Sequence, residues 1–187
     1  DHCTWDDDYK KITLEIRDKL LKLAYVGQPE YTVVLMQGSG TFGVESVLTS
    51  VVGEDEVLLI AANGAYGERM EDIAKHAGIR YFIYNEEYNQ VPSAEKIRAI
   101  LEEHPEITHV SMVHSVSKVV KGAVKTFIVD AMSSFGGVDI PVGELGIDFI
   151  ISSANKCIQG VPGFSFIICR TDKLKESQGK ARSLSLD

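Results

Sequence analysis

The chain has 187 residues, enough for one α/β domain with a substantial core. Its formal charge of −8 at pH 7, from 19 Lys and Arg against 27 Asp and Glu, argues against a nucleic-acid surface or an anionic membrane surface. Hydrophobic residues make up 44% and charged residues 25%, which excludes disorder, and no apolar run approaches the ~18 residues of a membrane span.

The cysteines are few and widely separated. Cys3, Cys157 and Cys169 are odd in number and have no CxxC spacing, so we expect neither a disulfide scaffold nor a metal site. Residues 1–6 lack the basic start and apolar core of a signal peptide. We therefore expect a cytoplasmic protein, and the absence of an initiator Met suggests an excised piece of a longer chain.

Helix-like and strand-like segments alternate along the chain. Apolar residues at three- and four-residue steps predict a first amphipathic helix over 9–23, with Asp6 as its N-cap. The further predicted helices are 41–52, 66–77 and 93–103, and the predicted strands are 31–36, 57–61, 80–84, 109–113, 126–129, 149–151 and 164–168. Because most strands are apolar on both faces, this order predicts a three-layer α/β/α domain with a mainly parallel sheet.

One connection is short for such a fold. Only residues 114–124 separate the strand ending at Val113 from the next strand, whereas a parallel crossover through a helix usually needs about a dozen residues or more. Either these two strands are antiparallel, or residues are missing between Ser115 and Val116. We favour the missing residues.

A glycine-rich loop follows the first predicted strand. Residues 38–43 fit the pattern G-x-G-x-x-G and open a helix. A dinucleotide site also needs an acid at the end of the second strand, but that strand ends Ala61-Ala62-Asn63, and the acids at 54–56 precede it. The loop is therefore either a phosphate site, with Ser39 and Thr41 as additional donors, or a plain strand–helix turn.

Two charged residues follow buried strands. Asp130 ends the strand 126–129, at the edge where open α/β sheets bind ligands, and Lys156 follows the strand 149–151 and a small polar run. Partial desolvation would make Lys156 a nucleophilic amine. The alternative for Asp130 is a turn or helix-cap residue, and the alternative for Lys156 is a solvated lysine on the surface. A phosphate cradle, an acid and a lysine together are what pyridoxal 5'-phosphate requires.

Four strings connect these features to a family. Residues 35–42, 129–136, 152–163 and 181–187 resemble motifs of the large domain of fold-type I, class V aminotransferases. Within that family they are most similar to the enzymes that act on 2-aminoethylphosphonate and pyruvate. The string around Lys156 is specific to that branch, whereas the glycine loop is much less specific.

The resemblance implies roles for the residues around the cofactor ring. Lys156 would be linked covalently to pyridoxal 5'-phosphate and would move protons, and Asp130 would pair with the pyridinium nitrogen. Tyr66 would stack on one face of the ring and Met132 would pack on the other. Core packing remains the alternative for both Tyr66 and Met132.

The phosphate site is implied in the same way. Ser39, Gly40 and Thr41 would hold the phosphate of the cofactor, and Asn155 would help. No metal is implied at this site.

The resemblance also implies parts that this chain lacks. Family members begin with a Pro-Gly-rich segment, and after the position of His114 and Ser115 they carry an acidic, threonine-rich stretch. They end in a small domain with an arginine for the substrate carboxylate. We therefore expect residues 1–187 to form an incomplete cofactor-binding large domain, with a break between Ser115 and Val116 and without the C-terminal small domain.

The implied function is transfer of the amino group of 2-aminoethylphosphonate to pyruvate, in a cytoplasmic homodimer without nucleic-acid or membrane partners. A close alternative is a sister transaminase that acts on alanine, serine or glyoxylate. Two others are a nucleotide-binding module without a covalently held cofactor and a non-catalytic fragment.

Overall fold

The computed structural model describes residues 3–88, 90–114 and 124–187. Its strands are β1 (Tyr31–Gln37), β2 (Val57–Ala62), β3 (Arg80–Asn85), β4 (His109–Val113), β5 (Thr126–Asp130), β6 (Phe149–Ser153) and β7 (Phe164–Arg170). Its helices are α1 (Asp7–Leu23), α2 (Gly40–Val51), α3 (Ala65–His76), α4 (Ala94–Glu103), α5 (Val142–Leu145) and α6 (Thr171–Glu176), followed by a 3₁₀ turn at Leu184–Leu186.

The strands form one seven-stranded sheet in the order β1-β7-β6-β5-β4-β2-β3. The pairings from β3 through β6 are parallel, and only β7 runs against both of its neighbours. The mainly parallel sheet is confirmed. β4 and β5 are parallel, with Val110 opposite Phe127, so the antiparallel alternative for this pair is wrong. The predicted break between Ser115 and Val116 lies outside the described residues.

Helices cover both faces of the sheet. α2 and α3 pack on one face through buried apolar residues that include Leu48 and Met70, and α1, α4 and α5 pack on the other through residues that include Leu21 and Ile97. All six residues of β2 are buried, which explains the continuous apolar run of that strand. The predicted three-layer α/β/α architecture is confirmed. Within the described ranges, no helix has the length and apolar character needed to cross a membrane.

The helix starts follow local chemistry. Ser39 and Ser93 cap α2 and α4, each accepting a backbone N–H with its hydroxyl oxygen. Asp6 is the N-cap residue of α1 as predicted, but its carboxylate accepts the N–H of Cys3 at 3.2 Å instead of a helical N–H. The short helices α5 and α6 were not predicted, because four and six residues are too few to display a helical period.

A buried histidine lies at the edge of the sheet where β2 and β4 begin. His109 is 1% exposed, and its Nδ1 lies 2.7 Å from Oγ1 of Thr108. Its Nε2 lies 3.9 Å from the carboxylate of Glu56, which also pairs with Nζ of Lys180 at 2.8 Å. Burial lowers the pKa of His109 to about 4 and outweighs the opposing attraction of Glu56.

We expect this histidine to make the protein sensitive to acid. The unfolded chain takes up a proton near pH 6.5 and the folded chain only near 4, so stability falls as pH drops through this window, by about 2 kcal/mol at pH 5. Urea unfolding of the intact, cofactor-free protein at pH 7 and pH 5 measures the loss. His109→Gln should remove most of it, whereas His76→Gln, at an exposed position on α3, should retain it. Equal losses in wild type and His109→Gln would contradict the assignment.

Candidate active site

A cavity of about 450 Å³ lies at the edge of the sheet where the parallel strands end. Its walls come from the loops that follow β1, β2, β5 and β6. Every site residue predicted from the sequence lines this cavity: Ser39, Gly40, Thr41, Tyr66, Asp130, Met132, Asn155 and Lys156. The fold therefore brings together residues that are up to 117 positions apart, counted from Ser39 to Lys156.

The glycine loop forms one wall at the N-terminus of α2. The hydroxyl oxygen of Ser39 accepts the N–H of Phe42 at 3.2 Å, which leaves the hydroxyl proton free to donate. The N–H groups of Gly40 and Thr41 have no partner within the helix, because they belong to its first turn. A Cβ on Gly40 would lie 2.5 Å from Sδ of Met132, so a larger residue here would have to displace the end of the Met132 side chain. This wall is suited to an anion.

Asp130 is the last residue of β5 and is 4% exposed. Its Oδ1 accepts the N–H of Met132 at 2.9 Å, so Asp130 also has the turn role considered as its structural alternative. Burial raises the pKa of its carboxyl, and this hydrogen bond opposes the shift. No cationic side chain pairs with it among the described residues. A buried carboxylate without a cation is unfavourable, so the cavity is suited to a ligand with a positively charged N–H next to Asp130.

Lys156 lies on the loop that connects the antiparallel strands β6 and β7. The loop is held by backbone hydrogen bonds from Gln159 to Lys156 at 2.8 Å and from Gly160 to Ala154 at 2.7 Å. The Lys156 side chain is exposed, which differs from the partial desolvation suggested by the sequence. Across the part of the chain that the structure describes, its amine has no hydrogen-bond or ion-pair partner. The amine is therefore free to react with a ligand in the cavity.

Asn155 precedes the lysine and also faces the cavity. Its side-chain oxygen accepts a hydrogen bond from the hydroxyl of Ser153 at 3.0 Å. This bond orients the amide and leaves its NH₂ group to donate to a ligand.

Tyr66 lies in the first turn of α3 and Met132 just after β5. Tyr66 is 56% exposed, so it is not a core residue. Its position is set by Gly67, where a Cβ would lie only 2.4 Å from that of Ala62, so α3 starts in direct contact with the end of β2. Met132 is 8% exposed and belongs to the core cluster as well as to the cavity wall.

Sequence reasoning missed several lining residues, of which Arg69 is the most important chemically. Arg69 lies three positions after Tyr66, and positions three apart lie on one side of a helix, so this spacing could have indicated it. The other missed residues are Gly38, Val44, Ser153, Pro162, Gly163 and Phe164.

Curated relatives match the whole of this chain. The 2-aminoethylphosphonate–pyruvate transaminase of Lysinibacillus sphaericus (strain C3-41) is 54% identical over 199 residues, which cover 100% of this chain and 54% of the relative. A bifunctional phosphonoacetaldehyde hydrolase/aminoethylphosphonate transaminase of Clostridioides difficile (strain 630) is 45% identical, and the match covers 31% of it. The chain thus spans about half the length of the first relative and a third of the second.

Solved structures share the fold. Pyridoxamine–pyruvate aminotransferase from Mesorhizobium loti superposes with a TM-score of 0.86 at 23% identity, covering 97% of this chain and 48% of that one. Alanine–glyoxylate aminotransferase from Nostoc sp. superposes with a TM-score of 0.81 at 24% identity, covering 93% of this chain and 48% of that one. The model of the class-V aminotransferases matches residues 4–182, which include the whole wall of the cavity. By this match and by its relatives, the chain belongs to the class-V aminotransferase family.

Proposed function

We propose that the intact protein is a pyridoxal 5'-phosphate-dependent transaminase that moves the amino group of 2-aminoethylphosphonate to pyruvate. The products are phosphonoacetaldehyde and L-alanine. One observation carries the chemistry: the cavity combines a free amine on Lys156 with a buried carboxyl on Asp130 that has no cationic partner among the described residues. The names of the relatives at 45–54% identity support the substrates.

The residues present fit this cofactor. The N-terminus of α2, with Ser39, Gly40 and Thr41, would hold the phosphate, because its free N–H groups and the helix dipole favour an anion. Asn155 would add an amide donor. When bound, pyridoxal 5'-phosphate supplies an electron sink for negative charge on the carbon that bears the amino group.

The remaining roles belong to side chains around the ring. Asp130 would keep the pyridine nitrogen protonated, since its buried carboxylate gains a positive partner. Lys156 would hold the cofactor until the amine of the donor displaces it, and its released Nζ would then carry the proton from the amine-bearing carbon of the donor to the cofactor. Tyr66 and Met132 would confine the ring from either side.

A panel of amino donors tests this function on the intact protein loaded with pyridoxal 5'-phosphate. We expect binding to produce absorbance in the near-visible region, and we expect 2-aminoethylphosphonate with pyruvate to yield alanine. Alanine or serine with glyoxylate should react at least about tenfold less efficiently, the effect of 1.4 kcal/mol in transition-state binding. A preference for glyoxylate would instead assign the protein to a sister transaminase. A cofactor that binds but is not fixed to the protein by borohydride would favour a module without covalent attachment.

We also infer that residues are missing between Ser115 and Val116. The curated relatives align over 199 residues, twelve more than the 187 of this chain, which agrees with the short connection between β4 and β5. Sequencing the transcript that encodes the chain tests this inference. A transcript that contains an additional in-frame segment after Ser115 is expected, and a transcript that matches the printed sequence there would contradict it.

The assembly and location remain proposals as well. We propose a cytoplasmic homodimer, because class-V resemblance implies it and because Tyr66 and Lys156 are exposed enough for further chain segments to cover them. The free thiols of Cys3, Cys157 and Cys169 agree with a reducing compartment. Light scattering of the intact protein, with a dimer as the expected mass, tests the assembly.

A further inference from the structure

The cavity contains a cation that the proposed chemistry does not use. Arg69 lies on α3, three residues after Tyr66, and both residues line the cavity. Arg69 is exposed, and in residues 3–88, 90–114 and 124–187 its guanidinium has no hydrogen-bond or ion-pair partner. It is therefore available to an anion that enters the cavity.

Two of the three acidic neighbours of Arg69 on the same helix have other partners, and the third, Asp72, makes no ion pair with Arg69 among the described residues. Glu68 accepts the hydroxyl of Tyr88 at 2.7 Å. Glu71 pairs with Nζ of Lys75 at 2.9 Å and also accepts the hydroxyl of Tyr81. In a chain with a net charge of −8, Arg69 thus keeps its positive charge unpaired at the cavity wall as far as the described residues extend.

We propose that Arg69 binds the phosphonate group of the amino donor and thereby makes an acidic group a requirement for good donors. This inference rests on the proposed function. A cavity that holds both the cofactor and this donor contains two anionic groups. The N-terminus of α2 would bind the phosphate of the cofactor with backbone N–H groups and the Ser39 hydroxyl. Arg69 lies on a different helix and is therefore available for the phosphonate of the donor.

The Arg69 guanidinium and a phosphonate are chemically complementary. The guanidinium presents several N–H donors in a planar fork that fits two oxygens of a phosphonate at once. Arg69 is exposed at the cavity wall whereas Asp130 is buried, so a phosphonate bound to Arg69 lies away from the carboxylate that would face the pyridine nitrogen. Arg69 is thus a specificity-determining residue that touches the substrate away from its reacting carbon.

Binding of methylphosphonate, which has the anion but no amine, tests the contact directly. Isothermal titration of the cofactor-loaded intact protein should show about 10–100-fold weaker binding for Arg69→Gln, the effect of losing a hydrogen-bonded charge pair. Arg69→Lys keeps the positive charge but not the planar arrangement of N–H donors, so its affinity for methylphosphonate should fall by less. Arg98→Gln, at an exposed position on α4 outside the cavity, should bind as wild type does.

Single-turnover rates with two donors provide the second measurement. We expect Arg69→Gln to raise the half-saturating concentration of 2-aminoethylphosphonate by a similar factor, with little change for n-propylamine, which has no acidic group. The proposal is overturned if methylphosphonate binds equally to wild type and Arg69→Gln, or if Arg69→Gln weakens only the affinity for the cofactor. If the wild-type protein fails to convert 2-aminoethylphosphonate, the proposed function itself is overturned. The wild-type assay therefore separates that outcome from a failure of the Arg69 proposal, which only the variants test.

Discussion

Replacing Lys156 with alanine is expected to abolish covalent attachment of the cofactor and to reduce transamination by about 10⁴-fold or more. The amine is the only group on the loop between β6 and β7 that combines exposure to the cavity with nucleophilic chemistry among the described residues. Its loss removes both the link to the cofactor and the proton carrier, and a general acid or base alone contributes ~10²–10⁴-fold. Activity and attachment should therefore disappear together.

Borohydride treatment followed by peptide mass spectrometry measures the attachment. In wild type the reduced cofactor should be found on the peptide that contains Lys156, and in Lys156→Ala no lysine should carry this cofactor label. Lys22→Ala, at an exposed position on α1, is the matched control and should label as wild type does. If label persists at the wild-type level in Lys156→Ala, another lysine binds the cofactor and the assignment is wrong.

Asp130→Asn should slow proton removal from the donor by about 10²–10³-fold while the cofactor remains covalently attached. Asparagine retains the shape and the hydrogen bond to the N–H of Met132, but it loses the charge that keeps the pyridine nitrogen protonated. Removal of one preorganised electrostatic contact typically costs ~10²–10³-fold in rate. Stopped-flow absorbance in a single turnover with 2-aminoethylphosphonate separates this step from product release.

The same substitution should not destabilise the cofactor-free protein at neutral pH. Burial raises the pKa of Asp130, so the folded state binds its proton more tightly than the unfolded state does. Stability is therefore lost as pH rises from the unfolded pKa through the raised folded pKa, and asparagine escapes this loss. A slow but stable variant shows that the lower rate comes from the lost charge and not from a damaged fold.

Asp148→Asn is the matched control for this experiment. Asp148 is also buried, its pKa is also raised by burial, and it accepts the N–H of Phe127 at 2.8 Å, but it lies outside the cavity. Its replacement should leave the single-turnover rate within about threefold of wild type, as expected when a change stays within ~0.7 kcal/mol. A near-normal single-turnover rate in Asp130→Asn would mean that Asp130 only stabilises the turn through its hydrogen bond with the N–H of Met132.

Local sequence was sufficient for most elements of this fold. The strand β2 is apolar at all of its buried positions, and the apolar residues of α1 and α4 that face the core on their side of the sheet repeat at helical spacing. Ser39 and Ser93 mark helix starts because capping involves residues only three positions apart. Ser39, Thr41, Asp130 and Lys156 could be predicted from local pattern, since each lies at or just after the end of a strand and therefore at the same edge of the sheet, whereas the resemblance alone indicated Tyr66, Met132 and Asn155.

The remaining features depend on contacts between distant parts of the chain. No local period indicates that β7 inserts between β1 and β6 and runs against both, because strand order and direction arise from pairing between segments far apart in sequence. The exposure of Lys156 and the burial of Asp130 with no cationic partner in the described ranges depend on packing around each side chain. The position of Arg69 at the cavity wall also depends on tertiary structure, since Gly67 packs directly against Ala62 and so fixes the start of α3 beside the end of β2.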